Sequence, residues 1–426
     1  MWATFPINAA FTCFSVALPL YVLSIKGNVL DITNLFAVYN LVSIPAFVIW
    51  GAAIDRMRRR RFFYGLSFAG CGLVFAAMFL TASIPVLFLM VSLLGVSIAA
   101  SGPISALLTM ELIEKKHWYT ALGRLYFIAT GGSALGSLVG VVWPGSIPVG
   151  YLLLFCSFTS IASLVVTYAV VRDPPMTLEV ASLPPARSGR SVGSPSSISS
   201  RLLLVVTVPI RSFSRDGVKR AYKGFRSGLM EGRNLLFFSG FFYMTGYAVL
   251  NMSYVAFLSG RGVSNPVIFG IAFSNVIFQL GAFALVSYLA ARLSGLKLGL
   301  YSILLTAFTF GVMGVAAVSL TGPSLVITNL LFFSLSGAGF ALWTAWTSLA
   351  LFSNLESQGQ AGVLGSYNAL IGLGTVLGSV VSGVISFYVG YSVTFLASSG
   401  VLLVSTELLR RASRIMRFVG GPGQAQ

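Results

Sequence analysis

Twelve apolar runs fill most of this chain: residues 4–25, 32–54, 62–82, 84–110, 121–143, 148–171, 235–258, 266–291, 298–320, 322–351, 361–389 and 391–409. Each approaches or exceeds the roughly 20 residues a helix needs to cross the hydrocarbon of a bilayer. Lipid offers the backbone no hydrogen-bond partner, so a spanning segment without a closed barrel must be helical. The pattern therefore predicts an all-α polytopic membrane protein with twelve transmembrane helices. With 56% hydrophobic residues and a mean hydropathy of +0.90, the chain lacks the polar residues to cover a soluble domain.

The charges test that count. If both termini are cytoplasmic, the inner segments hold 25 of the 27 Lys and Arg residues, and only Lys26 and Arg261 face outward. A wrong number of spans would scramble that asymmetry. The expectation is a multi-pass protein of the cytoplasmic membrane, its basic side against an anionic inner leaflet. The net charge of +17 is spread over short gaps between spans, so no nucleic-acid partner is expected. A span opens almost at Met1 with no basic segment before it, so no cleavable signal is expected. Cys13, Cys71 and Cys156 lie inside apolar runs without disulfide or metal spacing.

The longest inner segment divides the runs six and six. The expected domains are a first six-helix bundle (1–171), a basic cytoplasmic linker (172–234), a second bundle (235–410) and a cytoplasmic tail (411–426). Within the linker, Arg211, Arg215, Lys219 and Lys223 recur every four residues while Val218, Tyr222, Phe225 and Leu229 mark another face. This reads as an amphipathic helix on the inner leaflet, or as a solvated basic linker. The halves also resemble each other. LGRLYFIATGGSALGS (122–137) and LGSYNALIGLGTVLGS (364–379) share Leu-Gly, a central glycine (Gly132, Gly374) and Leu-Gly-Ser in register.

One short stretch concentrates the charge of a chain that is 9% charged overall: GAAIDRMRRRR, residues 51–61. Gly51, Asp55, Arg56, Arg59 and Arg60 match Gly-x-x-x-Asp-Arg/Lys-x-Gly-Arg/Lys-Arg/Lys between spans two and three, with Arg58 where that pattern has glycine. Together with twelve spans, the 6+6 repeat and a degenerate copy at Ala291-Arg292-Leu293, this resembles the major facilitator superfamily. The resemblance implies two pseudo-symmetric six-helix bundles that alternate access to a central site. It implies that Asp55 meets the start of the eleventh run near Gln360 to Gly362, where a helix N-terminus carries partial positive charge. It also implies that Arg56 and Arg59 pair with Glu111 or with lipid phosphates. Arg58 to Arg61 chiefly fix orientation. The glycine row Gly132, Gly136 and Gly140 lies where family exporters carry a Gly-Pro motif, but Ser137 stands in place of proline, and close helix packing explains the row.

No acid, Lys, Arg or His sits mid-span, so no buried charge is provided for an ionic solute or a proton relay. The candidate substrate contacts are neutral: Asn8 and Thr12 in span one; Ser101 and Ser105 in span four; Tyr243, Tyr247 and Asn251 in span seven; Asn275 and Gln279 in span eight; Trp343 and Trp346 in span ten. The hydroxyls have a structural alternative, since Ser and Thr in helices bond back to carbonyls one turn earlier. The tryptophans have another, as interfacial anchors. The leading function is a transporter of a small neutral or amphipathic organic solute, with export and broad specificity favoured. An uptake carrier for a sugar-like solute is the alternative. A polytopic enzyme or a non-transporting sensor are the other classes, and no catalytic constellation, metal set or cofactor site assembles; Glu111, Glu114 and His117 offer only a weak spacing. A monomer is expected.

Overall fold

The structure is a computed structural model that describes residues 2–57, 60–101, 118–144, 146–171, 232–292, 295–353 and 360–419. These residues form twelve helices and no strand: α1 (Thr4–Ser24), α2 (Val29–Met57), α3 (Arg60–Phe79), α4 (Ile84–Ala99), α5 (Trp118–Val141), α6 (Tyr151–Val170), α7 (Gly232–Gly260), α8 (Asn265–Arg292), α9 (Gly295–Ser319), α10 (Gly322–Ser353), α11 (Gln360–Tyr388) and α12 (Tyr391–Val419). Ten are long and apolar enough to cross a membrane. One helix matches each apolar run, as the sequence predicts. Met1–Asp173 with Phe237–Arg410 forms one compact unit; the second unit, Pro174–Leu236 with Arg411–Gln426, lies mostly outside the described residues, as does the linker helix expected around 211–229.

Helix α2 starts ahead of its apolar core because polar residues cap it. Asn28 and Asp31 exchange bonds at the start of α2: the Asp31 N–H donates to Asn28 Oδ1 (3.1 Å) and the Asn28 N–H to Asp31 Oδ2 (2.9 Å). That reciprocal box satisfies donors the helix cannot reach itself. The first helix of each half ends alike. Lys26 (φ 65°) closes α1, with the Gly27 N–H donating to the Val22 carbonyl and the Lys26 N–H to Leu23. Gly262 (φ 75°) closes α7, with the Val263 N–H donating to Leu258 and the Gly262 N–H to Ser259. Both are left-handed C-terminal caps of the same design.

The sequence repeat corresponds to a repeated helix crossing. In the first half, Gly132 and Gly136 of α5 lie against the backbone of Phe5 and Ala9 on α1. In the second, Gly374 and Gly378 of α11 lie against Phe241 and Thr245 on α7. Each glycine admits a neighbouring backbone that a Cβ would exclude, which is how helices associate closely where no hydrophobic force drives them together. Hydroxyls tie other pairs. Ser239 and Ser405 each donate to the other's carbonyl, at 3.0 and 2.8 Å, joining α7 to α12. Ser157 donates to Gly72 (2.8 Å), joining α6 to α3. Between the halves, α2 packs on α11 and α5 on α8.

Candidate functional site

The candidate site is built on α7 and α10. Three aromatic pairs stack across these helices: Tyr243 on Trp343 (centroids 4.1 Å, 15°), Tyr247 on Phe340 (4.6 Å, 26°) and Tyr254 on Phe333 (4.2 Å, 21°). Positions rise along α7 as they fall along α10, as antiparallel helices require. Spacings of four and seven residues place Tyr243, Tyr247 and Tyr254 on a single face of α7. Tyr243 also lies parallel to Tyr247 at 6.1 Å, and Phe310 of α9 closes against Tyr247 at 5.9 Å.

The polar atoms of this ladder divide into satisfied and unsatisfied. Tyr254 donates to Asn329 Oδ1 (3.1 Å), and the Tyr243 hydroxyl lies 3.4 Å from Thr306 Oγ1. Trp343 is 2% exposed, yet its Nε1–H finds no acceptor among the described residues. A buried donor left without a partner is costly, and such groups mark sites where a further acceptor belongs. The ladder contains no charged residue. It is an uncharged, buried stack of rings with one N–H that has no acceptor among the described residues, a chemistry that suits a neutral molecule with an acceptor atom.

The other candidates from the sequence fall into distinct places. Trp346 is buried against Gly299 of α9. Asn275 donates to the Phe333 carbonyl and to Ser336 Oγ (3.4 Å), and accepts from Gln279 Nε2 (2.7 Å), which binds α8 to α10. Asn251 donates to the Tyr247 carbonyl (3.0 Å) and Asn8 to Thr4 (2.7 Å), each within its own helix, and Ser101, just past α4, donates back to Ile98 (2.8 Å). Thr12 is half-buried on α1. The structure thus gathers Tyr243, Tyr247 and Trp343 into one cluster and gives the amides helix-bracing bonds. Ser105 lies outside the described residues.

Of the charged motif, Gly51, Asp55 and Arg56 fall in the last turns of α2 and Arg60 opens α3; only their backbone is described, and Arg59 and Glu111 lie outside the described residues. Beside the motif, Arg61 donates to the Tyr168 carbonyl and its guanidinium lies 5.0 Å from that ring's centroid, pinning α3 to α6.

Residues the sequence did not single out also appear. Phe340, Phe310 and Thr306 complete the ladder, and Tyr126 of α5 stacks on Phe283 of α8. Their only sequence signal is aromatic or hydroxyl character on spans crowded with both. A cavity of about 370 Å³ lies elsewhere, at the far ends of α1, α5 and α8, lined by Tyr21, Phe79, Trp143, Tyr151, Asn265 and Phe269. Among the described residues no group of three His, Cys, Asp or Glu could hold a metal ion, and the three cysteines are buried free thiols.

Comparison with known proteins bears on the whole chain. A family model described as the Major Facilitator Superfamily matches residues 1–362. Solved structures of similar fold include a variant of the nucleoside transporter NupG, at 13% identity and TM-score 0.71, covering 96% of this chain and 98% of that one. The xylose transporter XylE from E. coli, in a partially occluded inward-open conformation, gives 12% identity and TM-score 0.65 over 99% of both chains. The human organic anion transporter MFSD10 gives 16% identity and TM-score 0.62, covering 96% and 98%. At these identities the likeness concerns the fold. No curated protein matches the chain.

Proposed function

This chain belongs to the major facilitator superfamily and is a multi-pass membrane transporter rather than an enzyme, and from that premise we propose that it moves a small neutral or amphipathic organic solute by alternating access. The carrying observation is the uncharged aromatic ladder of α7 and α10, with the indole N–H of Trp343 at its heart and no acceptor for it among the described residues. A solute with a flat face would slide against Tyr243, Tyr247 and Trp343, and its acceptor oxygen or nitrogen would take the Trp343 proton. Binding that satisfies a buried donor favours such a solute over a hydrocarbon of equal size.

In this reading the bundles 1–171 and 235–410 rock about the ladder, with the linker 172–234 and the tail 411–426 on the cytoplasmic side. Both termini face the cytoplasm, since 25 of 27 basic residues then lie inside, and the protein works in the cytoplasmic membrane as a monomer. Asp55, Arg56, Arg59, Arg60 and Glu111, with Gly51 at the turn, would hold the cytoplasmic side closed. Asn8, Thr12, Ser101, Ser105, Asn251, Asn275, Gln279 and Trp346 would meet the solute or brace the helices that do. We favour export and broad specificity, because stacking on aromatic rings selects weakly among flat solutes.

A second reading, uptake of a sugar-like or nucleoside-like solute, is favoured by the amides of Asn275 and Gln279 and by the substrates named for NupG and XylE. Purified protein in proteoliposomes, offered a panel of neutral aromatic compounds, nucleosides and sugars from either side, separates the two. Trp343→Phe keeps the stack and removes the donor. Loss of one hydrogen bond of about 1–2 kcal/mol should raise KM about five- to thirtyfold for solutes bearing an acceptor and leave acceptor-free analogues unaffected. Equal effects on both classes would remove Trp343 from the binding site.

A further inference from the structure

Helices α5 and α8 pack along each other, and two of their contacts lie toward opposite ends. At one, the ring of Tyr126 lies nearly parallel to that of Phe283, centroids 5.4 Å apart at 13°, and its hydroxyl stands 3.1 Å from Ser348 Oγ on α10. Ala282, Phe283, Ala341 and Ala345 form a buried cluster around this contact, with Tyr126 packed against it. At the other, the ring of Phe269 occupies the space that a side chain at position 140 would need, and only glycine leaves it free. Tyr126 and Gly140 are fourteen residues apart on α5; Phe269 and Phe283 are fourteen apart on α8. At 1.5 Å per residue the contacts are about 21 Å apart, some two thirds of the roughly 30 Å of hydrocarbon, so they lie toward opposite ends of the span. α5 belongs to the first half of the chain, and α8 and α10 to the second, so both contacts cross between halves.

We propose that these contacts are the two gates of the transport cycle, released alternately. Tyr126 with Phe283 and Ser348 closes the end where the basic residues gather, and Phe269 seated on Gly140 closes the opposite end. Both are engaged here. The inference rests on the transporter reading and adds which residues shut the path. It also gives the gates a chemistry. Neither contact contains a charge, so parting them strips no ion pair and leaves no unpaired ion in a low-dielectric seam. The Phe269 gate closes only onto a residue without a Cβ.

Paired spin labels on the intact protein in lipid nanodiscs test this directly. Ala82→Cys with Thr321→Cys reports the Phe269 end, one exposed turn from each half; Arg124→Cys with Lys297→Cys reports the Tyr126 end. The native thiols are fully buried, so labelling goes to the introduced ones. Gly140→Val and Phe269→Ala should each shift the 82–321 distances to longer values and leave 124–297 unchanged. Tyr126→Ala and Phe283→Ala should do the reverse. Tyr126→Phe, which keeps the ring and loses the bond to Ser348, should give a smaller shift of the same sign. Phe127→Ala, on a neighbouring residue that is 45% exposed, should move neither pair. Flux should fall about tenfold in the four gate variants, the effect of biasing the two-state equilibrium by about 1.4 kcal/mol. A variant that fails to fold leaves its partner across the same contact to decide. The proposal is overturned if variants at the two ends lengthen the same pair, or if none changes either distance. Wild-type protein that transports nothing while its distances still respond as described would instead refute the transporter reading and leave the gates standing.

Discussion

The glycines of α5 make a graded steric prediction. A Cβ on Gly132 would sit 2.8 Å from the carbonyl carbon of Phe5 and 3.0 Å from its Cα, with the carbonyl oxygen nearer still. Those are backbone atoms of α1, so they cannot rotate away; the helices must part. At the repeat-related Gly374 the obstacles are a single backbone oxygen, of Phe241 at 2.6 Å, and the Thr245 hydroxyl at 3.0 Å. One residue earlier on α5, a Cβ on Gly131 would meet only the ring edge of Phe5, at 3.4 Å, and on Gly123 nothing within 4 Å. Overpacking that displaces backbone costs on the order of 3 kcal/mol, at the upper end of the usual range. Glycine to alanine in an open helical position gains up to about 1 kcal/mol. Gly132→Ala should therefore lower the thermal unfolding midpoint in detergent by roughly 6 °C or more, taking about 2 °C per kcal/mol for a chain of this size. Gly374→Ala should fall by less, and Gly131→Ala and Gly123→Ala should hold or rise slightly. If Gly132→Ala and Gly131→Ala melt together, the tight α1–α5 crossing described above is wrong.

Three further outcomes follow from other parts of the molecule. Arg261 donates to the Ala317 carbonyl at the end of α9 (2.6 Å) and lies over Phe257, so Arg261→Gln should cost about 1 kcal/mol and lower the melting midpoint, while an unchanged midpoint would make the contact incidental. Asp55→Asn should slow turnover and preserve equilibrium solute binding; normal flux would remove the cytoplasmic latch. Solute flux should be flat from about pH 6 to pH 8, since no carboxylate or imidazole lies mid-span, and a titration in that window would point to Glu111 as a proton carrier.

The helices, their number and the internal repeat were legible in the sequence because the bilayer imposes them. A run such as Tyr151–Val170 has no stable alternative in lipid, and a glycine row such as 132, 136 and 140 has few uses besides close packing. Boundaries were less legible at α2, where the Asn28–Asp31 box carries the helix beyond its apolar core. The site was only partly legible. Tyr243, Tyr247 and Trp343 stand out in the sequence as neutral aromatics on three-residue or longer spacings, and the structure stacks them together, but nothing local says that Asn275 turns toward the Phe333 carbonyl. Tyr126 and Phe283 lie 157 positions apart, and their stack depends on two helices meeting in antiparallel register. Such pairings live in tertiary packing and leave no periodic trace along the chain.

The left-handed caps and glycine crossings also speak to ancestry. Lys26 and Gly262 end the first helix of each half in the same hydrogen-bonded loop, and Phe5 and Phe241 enter the same glycine sockets. From Phe5 to Gly132 the chain runs 127 positions, and from Phe241 to Gly374 it runs 133. If the halves descend from one duplicated gene, six residues have been gained or lost between two joints that stayed the same. Drift accumulated in the tether while the joints were kept, and so a graft exchanging α1 and α5 as a matched pair should travel between halves more readily than either helix alone.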